Sequence, residues 1–243
     1  MRRALAPLLA ATLVAAGCGT QDRRAIPAKE LLTAVEQTRA APSQRVRVEM
    51  TMSTLGVELH LTGTGVFDNR TREGRMTYDV SELADLAGAS GAEADTAELV
   101  TIGRAAWVRS PVVADRLGTD REWIAFEPRL LGEQQGIDPG ALSAAQGDLG
   151  PQLGRLRRAT TGFEEVGDEA VRGVATTHYR SGRSEVWIGD DTGRVHRLRT
   201  QTQITLAGRV LEVDQAVELY DLGAPVGHVL PPPAADTAPL PGP

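Results

Sequence analysis

The hydrophobic period of the chain changes three times. Over Ala28–Arg39, Leu31, Leu32 and Val35 gather on one side of a 3.6-residue repeat while Glu30, Glu36 and Arg39 face away. This predicts an amphipathic helix, ended by Ala41-Pro42. From Val46 the period drops to two. Val46, Val48, Met50 and Met52 alternate with Arg47, Glu49, Thr51 and Ser53; past a turn at Leu55-Gly56, Val57, Leu59 and Leu61 alternate with Glu58, His60 and Thr62. That pattern predicts a β-hairpin with one apolar and one polar face. Met76, Tyr78 and Val80 continue it into a third strand, whereas residues 81–97 are acidic, small and aperiodic and read as a loop or a poorly formed helix.

A second hairpin follows, turning at Gly103-Arg104, and "REWIAFEP" at 121–128 gives another short strand. Across 129–158 the period returns to helical spacing through Ile137, Leu142, Leu149, Leu153 and Leu156, with Asp138-Pro139 as a helix start; one or two short helices are expected. The last third holds about four strands, with turns at 181–183 and 190–193. In the final strand Gln215 shares a face with Leu211, Val213, Val217 and Leu219. Residues 224–243 are proline-rich and are excluded from a sheet interior. Helix, antiparallel strands, helices and antiparallel strands make an α+β fold of roughly eight to eleven strands. Its apolar face needs a cover, and the helices at 28–39 and 129–158 are the candidates.

The amino terminus alters this picture. Arg2 and Arg3 precede an apolar run from Ala4 to Ala16, followed by Gly17 and Cys18, the sole cysteine of 243 residues. The run is too short to span a bilayer and has the layout of an export leader. An exported chain with one cysteine forms no internal disulfide, which leaves a spare thiol, an intermolecular bridge or a modified residue. Loss of residues 1–17 removes two arginines and takes the formal net charge from −6 to −8. An acidic mature chain argues against nucleic acid as a partner.

Ala15-Ala16-Gly17-Cys18 resembles the bacterial lipobox, which implies cleavage before Cys18 and acylation of that residue. Further along, "VRVEMTMSTLGVELHLTGTG", "IGRAAWVRSP", "REWIAFEP", "GVATTHYRS" and "EVWIGDDTGRVHRLR" resemble the actinobacterial lipoproteins of the LppX and LprG type, relatives of the lipoprotein carrier LolA. The resemblance implies a strongly curved antiparallel sheet, an incomplete barrel, with helices covering its concave face. It also implies a lipid or acylated glycolipid as ligand. The corresponding division is a leader at 1–17, a lipidated N-terminus and tether at 18–27, a LolA/LppX-like domain at 28–222 and a proline-rich tail at 223–243.

Catalytic chemistry is not expected. His60, His178, His196 and His228 are scattered, Asp190-Asp191 precedes Thr-Gly and reads as a turn, and no nucleophile elbow or phosphate loop occurs. No metal or cofactor is expected either. On the cavity reading, Val48, Met50, Leu59, Met76 and Tyr78 line one wall and Leu32, Val35, Leu142 and Leu153 the other, with Trp107, Trp123 and Trp187 inside or at the rim. The pattern fits a filled sheet–helix interface equally; the resemblance favours the cavity. The resulting expectation is a monomeric lipoprotein on the outer face of the cell membrane, held by acylated Cys18, with residues 81–97 gating a lipid site. The alternative is an envelope sensor that binds a protein through 81–97 or the tail.

Overall fold

Alternation written into the strands becomes one large sheet. The computed structural model describes residues 25–89, 91, 93–135, 139–158, 162–206 and 209–240. The leader, Cys18 and the tether as far as residue 24 lie outside the described residues. Among the described residues eleven strands pair antiparallel: β1 (Ser43–Thr54), β2 (Val57–Asp68), β3 (Glu73–Asp79), β4 (Thr96–Ile102), β5 (Ala105–Arg109), β6 (Trp123–Phe126), β7 (Glu164–Val171), β8 (Val174–Ser181), β9 (Ser184–Gly189), β10 (Val195–Leu206) and β11 (Arg209–Tyr220). A twelfth, β12 (Thr237–Pro239), lies parallel to β6. The spatial order is β12-β6-β5-β4-β3-β2-β1-β11-β10-β9-β8-β7, and its two ends do not join. The sheet is therefore an incomplete barrel.

The twelve strands exceed the expected upper count of eleven by one, and two of them, β7 and β12, are not among the segments the pattern marks as strands. β7 is hidden by composition, since "EEVGDEAV" shows hardly any apolar alternation, and a register shift between Glu165 and Gly167 interrupts its pairing. β12 comes from the proline-rich tail, which stays out of the sheet interior but closes its β6 edge, with Leu240 N–H donating to Ala125 O at 2.8 Å.

Among the described residues six α-helices accompany the sheet: α1 (Ala28–Arg39), α2 (Ser81–Ala87), α3 (Pro111–Leu117), α4 (Pro128–Gln135), α5 (Pro139–Ala145) and α6 (Gly150–Arg158). α3 was not legible as a helix, although Pro111 at its first turn and Gly118 in the left-handed region at its end are start and stop signals. α2 occupies the start of the segment expected as loop or weak helix. Residues 129–158 give three helices where one or two were expected.

The core lies between the concave face and α1, α5 and α6. Leu31 and Val35 of α1 and Leu149, Leu153 and Leu156 around α6 bury against Val46, Val48, Met76, Val186, Leu198, Val217 and Leu219 of the sheet. Polar bonds fasten this cover near one end of the strands. Gln44 Nε2 donates to Gly147 O at 2.8 Å, the Tyr78 hydroxyl donates to Ala145 O, and Val195 N–H donates to Thr38 Oγ1 at 2.8 Å. Gly63 and Gly65 serve a close approach: a Cβ at either would overlap the Tyr78 ring or Met76, so the two glycines let these side chains lie across β2.

The outer face of β8–β11 is a charged ladder. Arg197 lies 2.5 Å from Glu218 and 2.9 Å from Glu169, and Arg199 lies 2.6 Å from Asp214. His178 stacks on Trp187 with ring centroids 4.0 Å apart. Burial lowers His178 below the ordinary 6.5, outweighing the nearby Glu185 carboxylate, and burial lowers His196 too. Burial alone would raise Glu218, but Arg197 and Arg172 hold it below 4.5; Arg199 holds Asp214 below 3.8. Unfolding therefore takes up protons at all four groups as pH falls. The histidine contribution is complete above pH 6.5 and is lost as pH falls through the lowered values; the carboxylate contribution is lost further down. Denaturant midpoints measured from pH 8 to pH 3 are expected to fall in two stages, with His178→Gln flattening the upper one.

Candidate functional site

The apolar face of the sheet is longer than its cover. β3 pairs with β2 only from Thr62 onward, and β9 pairs with β10 only as far as Thr200. The hairpins β1–β2 and β10–β11, joined along β1 and β11, therefore run on beyond their flanking strands as a four-stranded tongue. Five residues of β2, Val57–Leu61, extend past β3, a reach of about 17 Å at strand rise.

Register divides the tongue into two chemically distinct faces. On the side of Val48 and Val217, Met52 pairs with Leu59 and Val213, and Ile204 pairs with Leu211. On the other side Thr51, Ser53, Glu58, His60, Gln203, Glu212 and Asp214 are all polar. The apolar side is a trough with half-buried walls of Met50, Met52, Leu59, Leu61, Ile204 and Leu211. Its inner end meets the packed core. Its outer end is apolar and exposed, with Leu55 at 83% and Val57 at 47% exposure. The Thr54 hydroxyl donates to Val210 O at 3.1 Å and ties the two hairpins together there. At the free edge of β2, His60 N–H donates to the Glu82 carboxylate of α2 at 2.7 Å, so α2 stands at the lip of the trough.

Leu55 is the anomaly of this tip. It sits at φ 49 followed by Gly56 at φ 82, a two-residue turn that favours Asn, Asp or Gly at both positions. A leucine there carries left-handed strain and exposes nearly all of its side chain, and among the described residues no contact compensates for either.

The ten predicted cavity residues separate into three groups. Val35, Val48, Met76 and Leu153 meet in the buried cluster with Tyr78 packed against it. Leu32, Met50, Leu59 and Leu142 are half-buried, and Met50 and Leu59 stand in the trough. Trp107 is on the opposite side of the sheet, with Val100, Trp123 and Val229. All three tryptophans face outward, and two of them meet charged groups there: Trp187 Nε1 donates to Glu169 at 2.8 Å, and Arg109 lies 5.5 Å from the Trp123 ring. Lining the concave side is therefore not their role. Cys18 lies outside the described residues.

A mixed cleft of about 480 Å³ opens between α1 and the β8–β9 side of the concave face. Ile26, Ala34, Tyr179 and Ile188 give it an apolar floor, and Lys29 and Asp190 flank it. Burial pushes the Tyr179 hydroxyl above its ordinary value. Met52, Leu61, Val213, Tyr179 and Ile188 are not among the residues the cavity expectation names. Hairpin length was the available signal for the first three, since β1 and β2 each outrun the seven residues of β3. Among the described residues no group of three or more His, Cys, Asp or Glu side chains is placed to hold a metal ion, and no helix is long and apolar enough to cross a membrane.

Among solved structures, the chain is similar to the lipoprotein LppX of Mycobacterium tuberculosis, with 13% identity and a TM-score of 0.51 over 82% of this chain and 96% of that one. It is also similar to LprF of Mycobacterium bovis (17% identity, TM-score 0.45, 85% and 96%) and to a LolA superfamily protein of Nitrosomonas europaea (13%, 0.33, 82% and 96%). No family model matches the sequence, and no curated protein matches it. The LppX likeness shows the fold, which is the one the sequence resemblance implied.

Two measurements probe the trough. Leu55→Asn, which suits positive φ, is expected to stabilise the fold by about 1 kcal/mol, read as a rise of a few degrees in Tm. Limited peroxide treatment should convert Met50 and Met52 to sulfoxides well before Met76, as followed by peptide mass spectrometry.

Proposed function

We propose that this protein is a membrane-anchored, non-enzymatic carrier that holds the acyl chain of a lipid or acylated glycolipid against the apolar side of its tongue. The observation that carries this reading is a long apolar sheet face left uncovered and running to an exposed apolar tip. A soluble domain gains nothing from leaving such a surface half-open. An acyl chain laid along it removes two apolar surfaces from water, worth about 25 cal/mol for each Å² buried.

In this reading Cys18 carries the anchoring chains, and residues 19–24 tether the domain within reach of its own membrane; the tether is shorter than the expected 18–27, because Ala25 pairs with Glu164 and Ile26 is buried in the core. The acidic mature chain would gain little from anionic lipid, so the anchor and the apolar tip, not charge, bring the trough to the bilayer. Leu55 and Val57 enter the interfacial layer, and an acyl chain passes from the membrane into the trough without crossing open water. The strained leucine fits that task, since its cost is recovered only on contact with lipid. α2 at the lip, within the segment expected to gate the site, borders the path. Methionines 50 and 52 suit a wall that must adapt to chains of different shape.

The test begins with protein purified from its native membrane. Denaturation and extraction should release lipid in near-stoichiometric amount by mass spectrometry, and reloading with that lipid should slow sulfoxide formation at Met50 and Met52. The double variant Met52→Glu/Leu59→Glu should retain several-fold less lipid at an unchanged Tm. Protein that releases no lipid and gains no protection would refute the proposal.

A further inference from the structure

We propose that Gln152 and Gln215 form a recognition point for a hydroxyl group carried within the apolar part of the ligand. The inference rests on the carrier reading above and adds to it the chemistry of the chain that is held.

Gln215 lies on the apolar face of β11, between Val213 in the trough and Val217 in the core, with Met50 and Thr200 as its cross-strand neighbours. It marks the point where the open trough meets the packed interface. Gln152 of α6 faces it, and the two are 2% and 4% exposed. Gln152 Nε2 donates to Gln215 Oε1 at 3.2 Å. Among the described residues the other half of each amide has no hydrogen-bond partner: Gln152 Oε1 is an unpaired acceptor and Gln215 Nε2 an unpaired donor. A polar atom taken from water and left unpaired is costly, and buried polar groups nearly always find a partner.

An unpaired donor and an unpaired acceptor on two hydrogen-bonded amides complement a hydroxyl, which gives one hydrogen bond and takes another. A plain hydrocarbon chain supplies neither, and an ester carbonyl would satisfy Gln215 Nε2 alone. The position matters as much as the chemistry. The pair stands at the inner end of the trough, away from the exposed tip at Leu55, so the group it meets lies along the ligand's apolar body and not at its headgroup. Selectivity for such a group is strong where a site is built to bond it, because a ligand without it leaves the site's polar atoms unpaired.

The experiment compares 12-hydroxystearate with stearate as probes for the delipidated mature protein, by displacement of a fluorescent fatty acid. The wild type should bind the hydroxylated chain about tenfold more tightly, the scale of one added hydrogen bond. Gln152→Leu/Gln215→Leu, which removes both free polar atoms at similar volume, should bind stearate at least as well and lose the preference. If that variant does not fold, the side-chain amide NMR signals of Gln152 and Gln215 in the wild type decide instead: they should shift with 12-hydroxystearate and not with stearate. Equal wild-type affinity for the two probes, with unmoved amide signals, would mean that water fills the pair and would overturn this inference while leaving the carrier reading intact. Failure to bind either chain would overturn both.

Discussion

A mismatch of length governs this fold. A twelve-residue strand such as β1 or β11 runs about 40 Å, whereas α1 and α6, of twelve and nine residues, run about 18 and 14 Å. Helices of that length cannot shield an apolar face of that length. The hydrogen bonds from Gln44, Tyr78 and Val195 fasten the cover towards one end, and the deficit gathers at the other. The packed core, the half-open trough and the apolar tip are three consequences of one geometric shortfall.

Much of this was legible in the residue pattern. α1 has the expected bounds, the turns at Leu55-Gly56 and Gly103-Arg104 fall where expected, and the α+β order follows from the switches of period. What escaped was written in weaker chemistry. β7 is acidic on both faces, so alternation could not announce it, and α3 is seven residues long with only Val112 buried. The tryptophans misled for a different reason. The cavity reading places them inside or at its rim, but the register sets all three on the outer face, with Trp187 beside Glu169 and Trp123 beside Arg109.

The site divides along the same line. Local pattern identified the apolar face and several of its members, because alternation is a property of a single strand. Which part of the face is covered depends on how far β3, β9 and the helices extend beside it, and that is a relation between elements distant in sequence. Gln215 shows the boundary well. In the sequence it is a polar residue out of step with its neighbours, and only the packing of α6 explains what such a step is worth.

The register shift in β7 has a further consequence. A barrel that fails to close keeps two edges, and an exposed edge invites another strand. Here β12 covers one edge, and at the other the shift between Glu165 and Gly167, with Asp168 beyond it, combines kinked backbone with negative charge. The seam is defended on both sides without being sewn. A sheet of this kind stays open along its seam while each of its edges discourages union with a neighbouring strand.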